Sequence, residues 1–380
     1  MRAIFGKTVY LGNEKSMHRS YVIFDGNKIA SVTQTKPDCA VIGNYEVITP
    51  AFIDAHCHIG ATRAGEPPEE DDVNDEMDSL LFQADVLDSI IMEDTSFKEA
   101  LEYGVLYSCV VPGSGNVIGG RCAVVRNFAS NTKEAFMEYA GIKAAFGHNP
   151  KSTTDWKGTR ASTRMGAVSL LRRELKKGQK TKNLLKRRKK SKDEVEPQME
   201  SIISILNKWE RLRVHAHKTD DIIAALRLAE EFDLDIVIEH ASDVNKRATF
   251  DLLQKHDIPV VYGPIDSFQY KVELRNETWK NAKHVMDSGV KFAVMSDHPI
   301  VLQRNLFLQL RLLRRLGLSK EQCISKITKE AAEILNMGQG LGTLEKGKLA
   351  SLVCWNGDPF NLDSYPVAVW AEGKRVLEEK

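Results

Sequence analysis

Between Val47 and Asn336 the chain alternates short, fully apolar runs with segments of helical patterning, and this texture limits its fold more than any other feature. Strands covered by helices on both faces read as near-continuous apolar runs, and joining them in parallel needs a crossover of a dozen or more residues, which a helix supplies. The clearest stretch is Leu212-Arg-Val-His215, a helix from Asp221 to about Phe232, the run Ile236-Val-Ile238, a helix over Lys246 to His256, and Pro259 to Tyr262. A further helix precedes Val290 to Met295, while earlier units show as Phe97 to Tyr103 leading into Val105 to Val111, and as Ile142 to Phe146. The repetition predicts an α/β fold in which about eight such strands close a (β/α)8 TIM barrel over residues 50–336.

The two ends differ from the middle. Thr8 to Leu11, Ser20 to Phe24 and Ile29 to Val32 read as strands, with turn residues at Asp25-Gly26-Asn27; Ala350 to Trp355 and Val367 to Trp370 match them at the far end, before Glu372-Gly373-Lys374. Residues 1–49 and 337–380 are therefore expected to build one small β-sandwich domain together. A chain of 380 residues, 42% of them hydrophobic, is long enough for a barrel with such an addition.

Charge narrows the function classes. Fifty-three basic residues against 52 acidic ones leave a net charge of +1, so no global footprint for nucleic acid exists. The densest basic segment, Leu171 to Lys192, is expected to be a solvated helical excursion between barrel strands and is assigned no chemistry. Six cysteines without a C-x-x-C pair read as free thiols in a reducing compartment. No stretch reaches the roughly 18 apolar residues of a membrane span, and the N-terminus lacks a signal-peptide core. These features together predict a cytoplasmic protein acting on a small molecule, with no nucleic-acid or membrane partner; whether it forms a homo-oligomer is left open.

The sharpest chemical signal is Thr49-Pro-Ala-Phe-Ile-Asp-Ala-His56-Cys-His58. On a strand, residues i and i+2 face the same way, so both imidazoles can reach one point inside the barrel while Cys57 turns away. His215, His240 and Asp297 each end another predicted strand, where a barrel carries its active site. Neutral imidazoles with one carboxylate suit zinc and are tolerated by iron, manganese or cobalt.

Thr49 to His58, Val214-His-Ala-His217, Ile238-Glu-His240 and Ser296-Asp297-His298-Pro299, in that order and spacing, resemble the metal motifs of the amidohydrolase superfamily. Thr328 to Leu335, Gly342 to Lys348 and Val353 to Pro359 resemble the family's return into its β-sandwich, and the imidazolonepropionase-related members look most similar. The resemblance implies that His56, His58 and Asp297 hold one divalent ion, Zn2+ by expectation, with His215 completing it or joining His240 at a second. His215 is preferred to His217 because it comes first after the apolar run, which leaves His217 as a support or substrate contact. Members with two ions bridge them through a carboxylated lysine or a glutamate on the fourth barrel strand. This chain offers Ala144-Ala-Phe-Gly-His148-Asn-Pro150 there; Lys143 lies early in the strand, and an imidazole does not bridge as a carboxylate does. One tightly held ion is therefore favoured, with one or two left open.

The implied activity is hydrolysis of an amide, peptide or cyclic amide C–N bond. A bound ion lowers the pKa of its water towards about 7 and polarises the scissile carbonyl. Asp297 would take the water proton and pass it to the leaving nitrogen, and His240 would ligate a second ion or stabilise the oxyanion. Arg164, Tyr270 and Lys271 are candidates for a substrate carboxylate, with His217 and His298 as further substrate contacts. The glycine-rich Pro112 to Gly120 reads as a substrate-side loop. Two alternatives stand beside this reading. A ring deaminase of the same superfamily usually carries a glutamate three residues after the strand-5 histidine, where position 218 is lysine. A non-catalytic, amidohydrolase-like assembly protein would need none of His56, His58, His215, His240 and Asp297.

Overall fold

A computed structural model describes residues 1–62, 67 and 70–378. Both ends build one seven-stranded sheet from β1 (Arg2–Tyr10), β2 (Ser16–Asp25), β3 (Lys28–Thr33) and β4 (Ala40–Pro50), joined by the C-terminal strands β13 (Leu352–Trp355), β14 (Pro366–Ala371) and β15 (Lys374–Glu378); its order is β15-β14-β13-β4-β1-β2-β3. The expected sandwich is thus a single sheet folded over on itself. Ile4, Val22, Phe24, Ile48, Leu352 and Trp370 converge on its inner face, and the rings of Phe24 and Trp370 meet at 5.5 Å although their strands lie far apart in the sheet.

The barrel sheet holds β5 (Phe52–Cys57), β6 (Val105–Val110), β7 (Ile118–Arg126), β8 (Phe136–Ala145), β9 (Leu212–Ala216), β10 (Ile236–His240), β11 (Val260–Tyr262) and β12 (Phe292–Val294), hydrogen-bonded in chain order. The chain then returns to the first sheet with β13, β14 and β15. Barrel strands β9 to β12 are all parallel, and every residue of β5, β6, β9, β10, β11 and β12 is buried, as apolar runs between two covered faces require.

One strand departs from the eight parallel units expected. β7 runs antiparallel to both β6 and β8. The reason lies in chain length: only Val111 to Val117 separates β6 from β7, too short for a crossover, so the glycine-rich segment turns the chain straight back. The next ascending strand, β8, is then parallel to β9.

The basic excursion is the 23-residue helix Arg164–Lys186, capped by the Thr163 side chain on the Gly166 N–H. Its buried face, Ala167, Leu171, Leu175 and Gly178, repeats at helical spacing and packs against the following helix, Pro197–Leu206. A Cβ at position 178 would stand 2.4 Å from the Ile202 side chain, so glycine permits that approach. Lys176, Lys177, Lys180, Lys186, Arg187, Arg188 and Lys189 are exposed. No described helix is long and apolar enough to cross a membrane.

Candidate metal centre

The strand ends bring the predicted ligands together. His56 lies in β5 and His58 just beyond it; in the ladder between β9 and β10, Glu239 stands opposite His215 and His240 opposite Ala216. Alternation alone would turn His240 away from His215. It reaches the same space because His240 adopts φ 75°, a left-handed conformation rare outside glycine, and Asp297 does likewise with φ 52°. Ring centroids of His240 lie 4.8 Å from His56, 4.3 Å from His215 and 4.7 Å from His217. Asp297 Oδ1 is 3.4 Å from His56 Nε2 and 3.3 Å from His58 Nε2, and its Oδ2 is 3.9 Å from His240 Nδ1.

The donor atoms fit a divalent cation. His56 Nδ1 donates to Glu239 Oε2 at 2.8 Å, His58 Nδ1 to the Val111 carbonyl at 2.7 Å, and His240 Nδ1 to the Gly263 carbonyl at 3.1 Å. Each acceptor fixes one nitrogen as the N–H and leaves Nε2 with its lone pair, the arrangement of metal-ligating histidines. His56 Nε2 and His240 Nε2 are buried with no hydrogen-bond partner, as is Nδ1 of both His215 and His217. Unpaired buried polar atoms are costly, so their convergence marks a site for a cation. Two triads have ligand atoms within 4.8 Å of one another: His56, His240 and Asp297; and His215, His217 and His240. His215 and His217 therefore both belong to the cluster.

Electrostatics favour the protonation states that binding needs. Burial pushes the pKa of His58, His215 and His240 below the ordinary imidazole value, and takes His217 down to about 3. Burial opposes ionisation of Asp297, yet the neighbouring His56 and His58 imidazoles outweigh it and hold its carboxyl well below the usual range.

Several buried residues in this region carried no role in the sequence reading. Glu239 joins His56 to Arg213, whose Nη2 lies 2.7 Å from Glu239 Oε1 and donates to the Ala55 carbonyl at 2.8 Å. Lys143 stands beside Arg213 in the β8–β9 ladder, two residues before Ala145, which pairs with His215. Its ammonium is fully buried and has no hydrogen-bond partner, and burial favours the neutral amine against the pull of Glu239. The position that looked too early in the strand thus lies on the same face as the ligands, one layer deeper. Asp54 occupies the corresponding place before His56. The overlooked signal was parity: residues two before a ligand share its face.

The rim is made by loops. Lys271 Nζ pairs with Glu273 at 2.9 Å and donates to Asn149 Oδ1 at 3.2 Å; Asn149 Nδ2 lies 3.5 Å from His215 Nε2 and donates to Ser114 of the glycine-rich segment at 2.7 Å. Tyr270 is next to Lys271, 44% exposed. The His148 N–H donates to Glu273 Oε2 at 2.9 Å, and that carboxylate also stands 4.0 Å from His217. His298 is buried, takes the Gln303 N–H on Nδ1 at 3.2 Å, and keeps Nε2 unpaired. Arg164 is engaged by Asp221 at 2.8 Å, beside a cavity of about 290 Å³ lined by Phe146, Arg172, Asp220 and Arg227.

A profile of the amidohydrolase family matches residues 187–376, half of the chain. Amidohydrolase tasK of Hapsidospora irregularis is 25% identical over 383 residues; the match takes in 90% of this chain but 38% of that protein, so the chain spans less than two fifths of the relative's length. Among solved structures, an amidohydrolase from Thermotoga maritima MSB8 superposes with a TM-score of 0.93 at 31% identity, over 100% of both chains. A Xaa-Pro dipeptidase with bound methionine (TM-score 0.63, 15% identity, 99% of both chains) and the ochratoxinase of A. niger (0.62, 13%, 100% of this chain and 96% of that one) share the fold.

Proposed function

Because this chain belongs to the amidohydrolase family, we propose that it hydrolyses a C–N bond in a small amide, peptide or cyclic amide at the centre built from His56, His58, His215, His240 and Asp297. The observation that carries the reading is the convergence of buried, unpaired imidazole nitrogens on a carboxylate held ionised, each of three rings pinned through its other nitrogen. Within the family we read the chain as an imidazolonepropionase-related member, on the order of its motifs.

Zn2+ is the ion we assign. When bound, it would supply a water of lowered pKa and polarise the scissile carbonyl. The chain's own groups do the rest. Asp297, ionised and in contact with His56 and His58, accepts the water proton at Oδ1 or Oδ2 and delivers it to the departing nitrogen. Lys143 changes the reading of the metal count. Burial lowers the pKa of Lys143 and so favours the neutral amine, the form that can add CO2 through Nζ and lose a proton to become a carbamate, the bridging group of two-ion family members. We therefore favour two ions over one, with His148 placed at the rim by its backbone bond to Glu273. Lys271 and Tyr270 hold the substrate carboxylate, while His217 and His298 line the same space. Six free cysteines suit a cytoplasmic setting.

The test is metal analysis of the purified protein paired with a turnover screen of N-acyl amino acids, dipeptides and small cyclic amides. Zinc-dependent release of the amine from at least one class is expected. A metal-replete protein inert towards all three would sink the proposal.

A further inference from the structure

The barrel sheet has two edges, β5 and β12, and no ladder joins them among the described residues. At the lower end of this seam a segment between helices wedges it open: the Ile53 N–H donates to the Ile327 carbonyl at 2.8 Å and the Val294 N–H to the Lys326 carbonyl at 3.0 Å. The proposed ligands sit on opposite sides of the seam, His56 and His58 on one, Asp297 on the other. At the ligand end two main-chain bonds cross the seam outside any ladder, Asp297 N–H to the His56 carbonyl at 3.1 Å and His58 N–H to the His298 carbonyl at 3.0 Å, and side chains must supply the rest of what fixes the spacing.

Asp54 spans that gap. It is fully buried on β5, and among the described residues no cation pairs with it. Its Oδ1 accepts the Ser296 N–H at 3.1 Å and lies 3.4 Å from the His56 N–H; its Oδ2 accepts the Ser296 hydroxyl and, at 2.9 Å, Gln303 Nε2. Ser296 Oγ in turn accepts the His298 N–H at 3.0 Å, so the residues on both sides of Asp297 are tied to one carboxylate. Gln303 is itself held by Ser108 at 2.9 Å and by Asn127 at 3.2 Å. Asp297 sits in a strained left-handed conformation, with its N–H on the His56 carbonyl at 3.1 Å, and such a backbone persists only where its surroundings over-determine it.

We propose that Asp54 is a positioning residue of the metal centre: together with the two main-chain bonds across the seam, its carboxylate stands in for the missing ladder between β5 and β12 and holds Asp297 at ligating distance from His56 and His58. This rests on the metal-site reading above. Support of this kind behind a ligand is worth about 10–100-fold in metal affinity.

The experiment measures zinc(II) affinity of the full chain by competition with a chelator, alongside thermal unfolding of the metal-stripped protein. Asp54→Asn keeps the size but sets an amide N–H against the Gln303 amide; Gln303→Glu restores an acceptor, so the double variant Asp54→Asn/Gln303→Glu reverses the polarity of the bond. Asp54→Asn should bind zinc at least about tenfold more weakly, and the double variant should recover most of that loss. Ser296→Ala, which removes one hydroxyl and leaves the backbone bond, should weaken zinc binding severalfold with little change in unfolding temperature, and stands in if Asp54→Asn does not fold. Zinc binding at parental affinity in folded Asp54→Asn or Ser296→Ala, or equal loss in the single and double variants, overturns the proposal. A parent chain that binds no zinc overturns the metal-site reading as well, and so separates the two failures.

Discussion

Asp54, Lys143, Arg213 and Glu239 are fully buried beneath the candidate ligand histidines, whereas Phe268, Tyr270 and Val272, in the segment after β11, stand 73%, 44% and 77% exposed. The floor is carried by regular strands, and there Glu239 lies between Arg213 and His56, Asp54 is met by neutral donors, and Lys143 has no hydrogen-bond partner. The rim hangs on loops, and its charges are met locally, as Lys271 is by Glu273. A group taken out of water is costly unless its neighbours compensate it, and strands within a packed barrel hold those neighbours in register; a solvated side chain on a loop is free to exchange water for a ligand. On the proposed function, the chemistry belongs to the floor and the candidate ligands, and the choice of substrate to the rim.

The largest effect should follow from Asp297→Asn. The amide keeps a ligand oxygen but cannot carry a proton, so turnover should fall at least about a hundredfold while much of the metal stays bound. Undiminished turnover on an established substrate would remove Asp297 from the chemistry. One layer down, Glu239→Gln keeps shape and loses the charge facing Arg213 and His56; zinc affinity, read by chelator competition, should drop about 10–100-fold. If it does not, the floor is packing and nothing more.

At the rim the effect should be smaller and of a different kind. Lys271→Met removes one charged hydrogen bond, worth about 1.5 kcal/mol, so KM for substrates bearing a free carboxylate should rise about tenfold with kcat nearly unchanged, and amidated analogues should not respond. A fall in kcat at constant KM would move Lys271 from the rim to the chemistry. Smallest of all, Arg187→Ala with Arg188→Ala should leave turnover within about twofold, because exposed charges more than a Debye length of roughly 10 Å from a site are screened. A large rise in KM would instead make the basic segment part of the substrate's approach.

Some of this was legible in the residues alone. His-x-His at the end of an apolar run, and His215, His240 and Asp297 at the ends of others, announce a barrel with ligands at one end, because strand alternation and apolar burial are local rules. The same rule, carried two residues further back, would have pointed to Asp54 and Arg213. Arg164 shows its limit: a guanidinium after a strand-like segment suits a substrate carboxylate equally well, and only the fold reveals Asp221 beside it.

The amino-acid sequence by itself determined the alternating architecture, the terminal β domain and the ligand types, since each follows from periodicity, turn chemistry and residue identity over a few neighbours. Tertiary structure alone decided that His240 joins His215 through a left-handed backbone, and that Lys143 lies unpaired one layer below the proposed ligands. It also decided that Asp54 bridges the seam to Ser296, 242 residues away along the chain. Such contacts depend on how distant segments register against one another, and register is set by the packing of the whole barrel rather than by any local run.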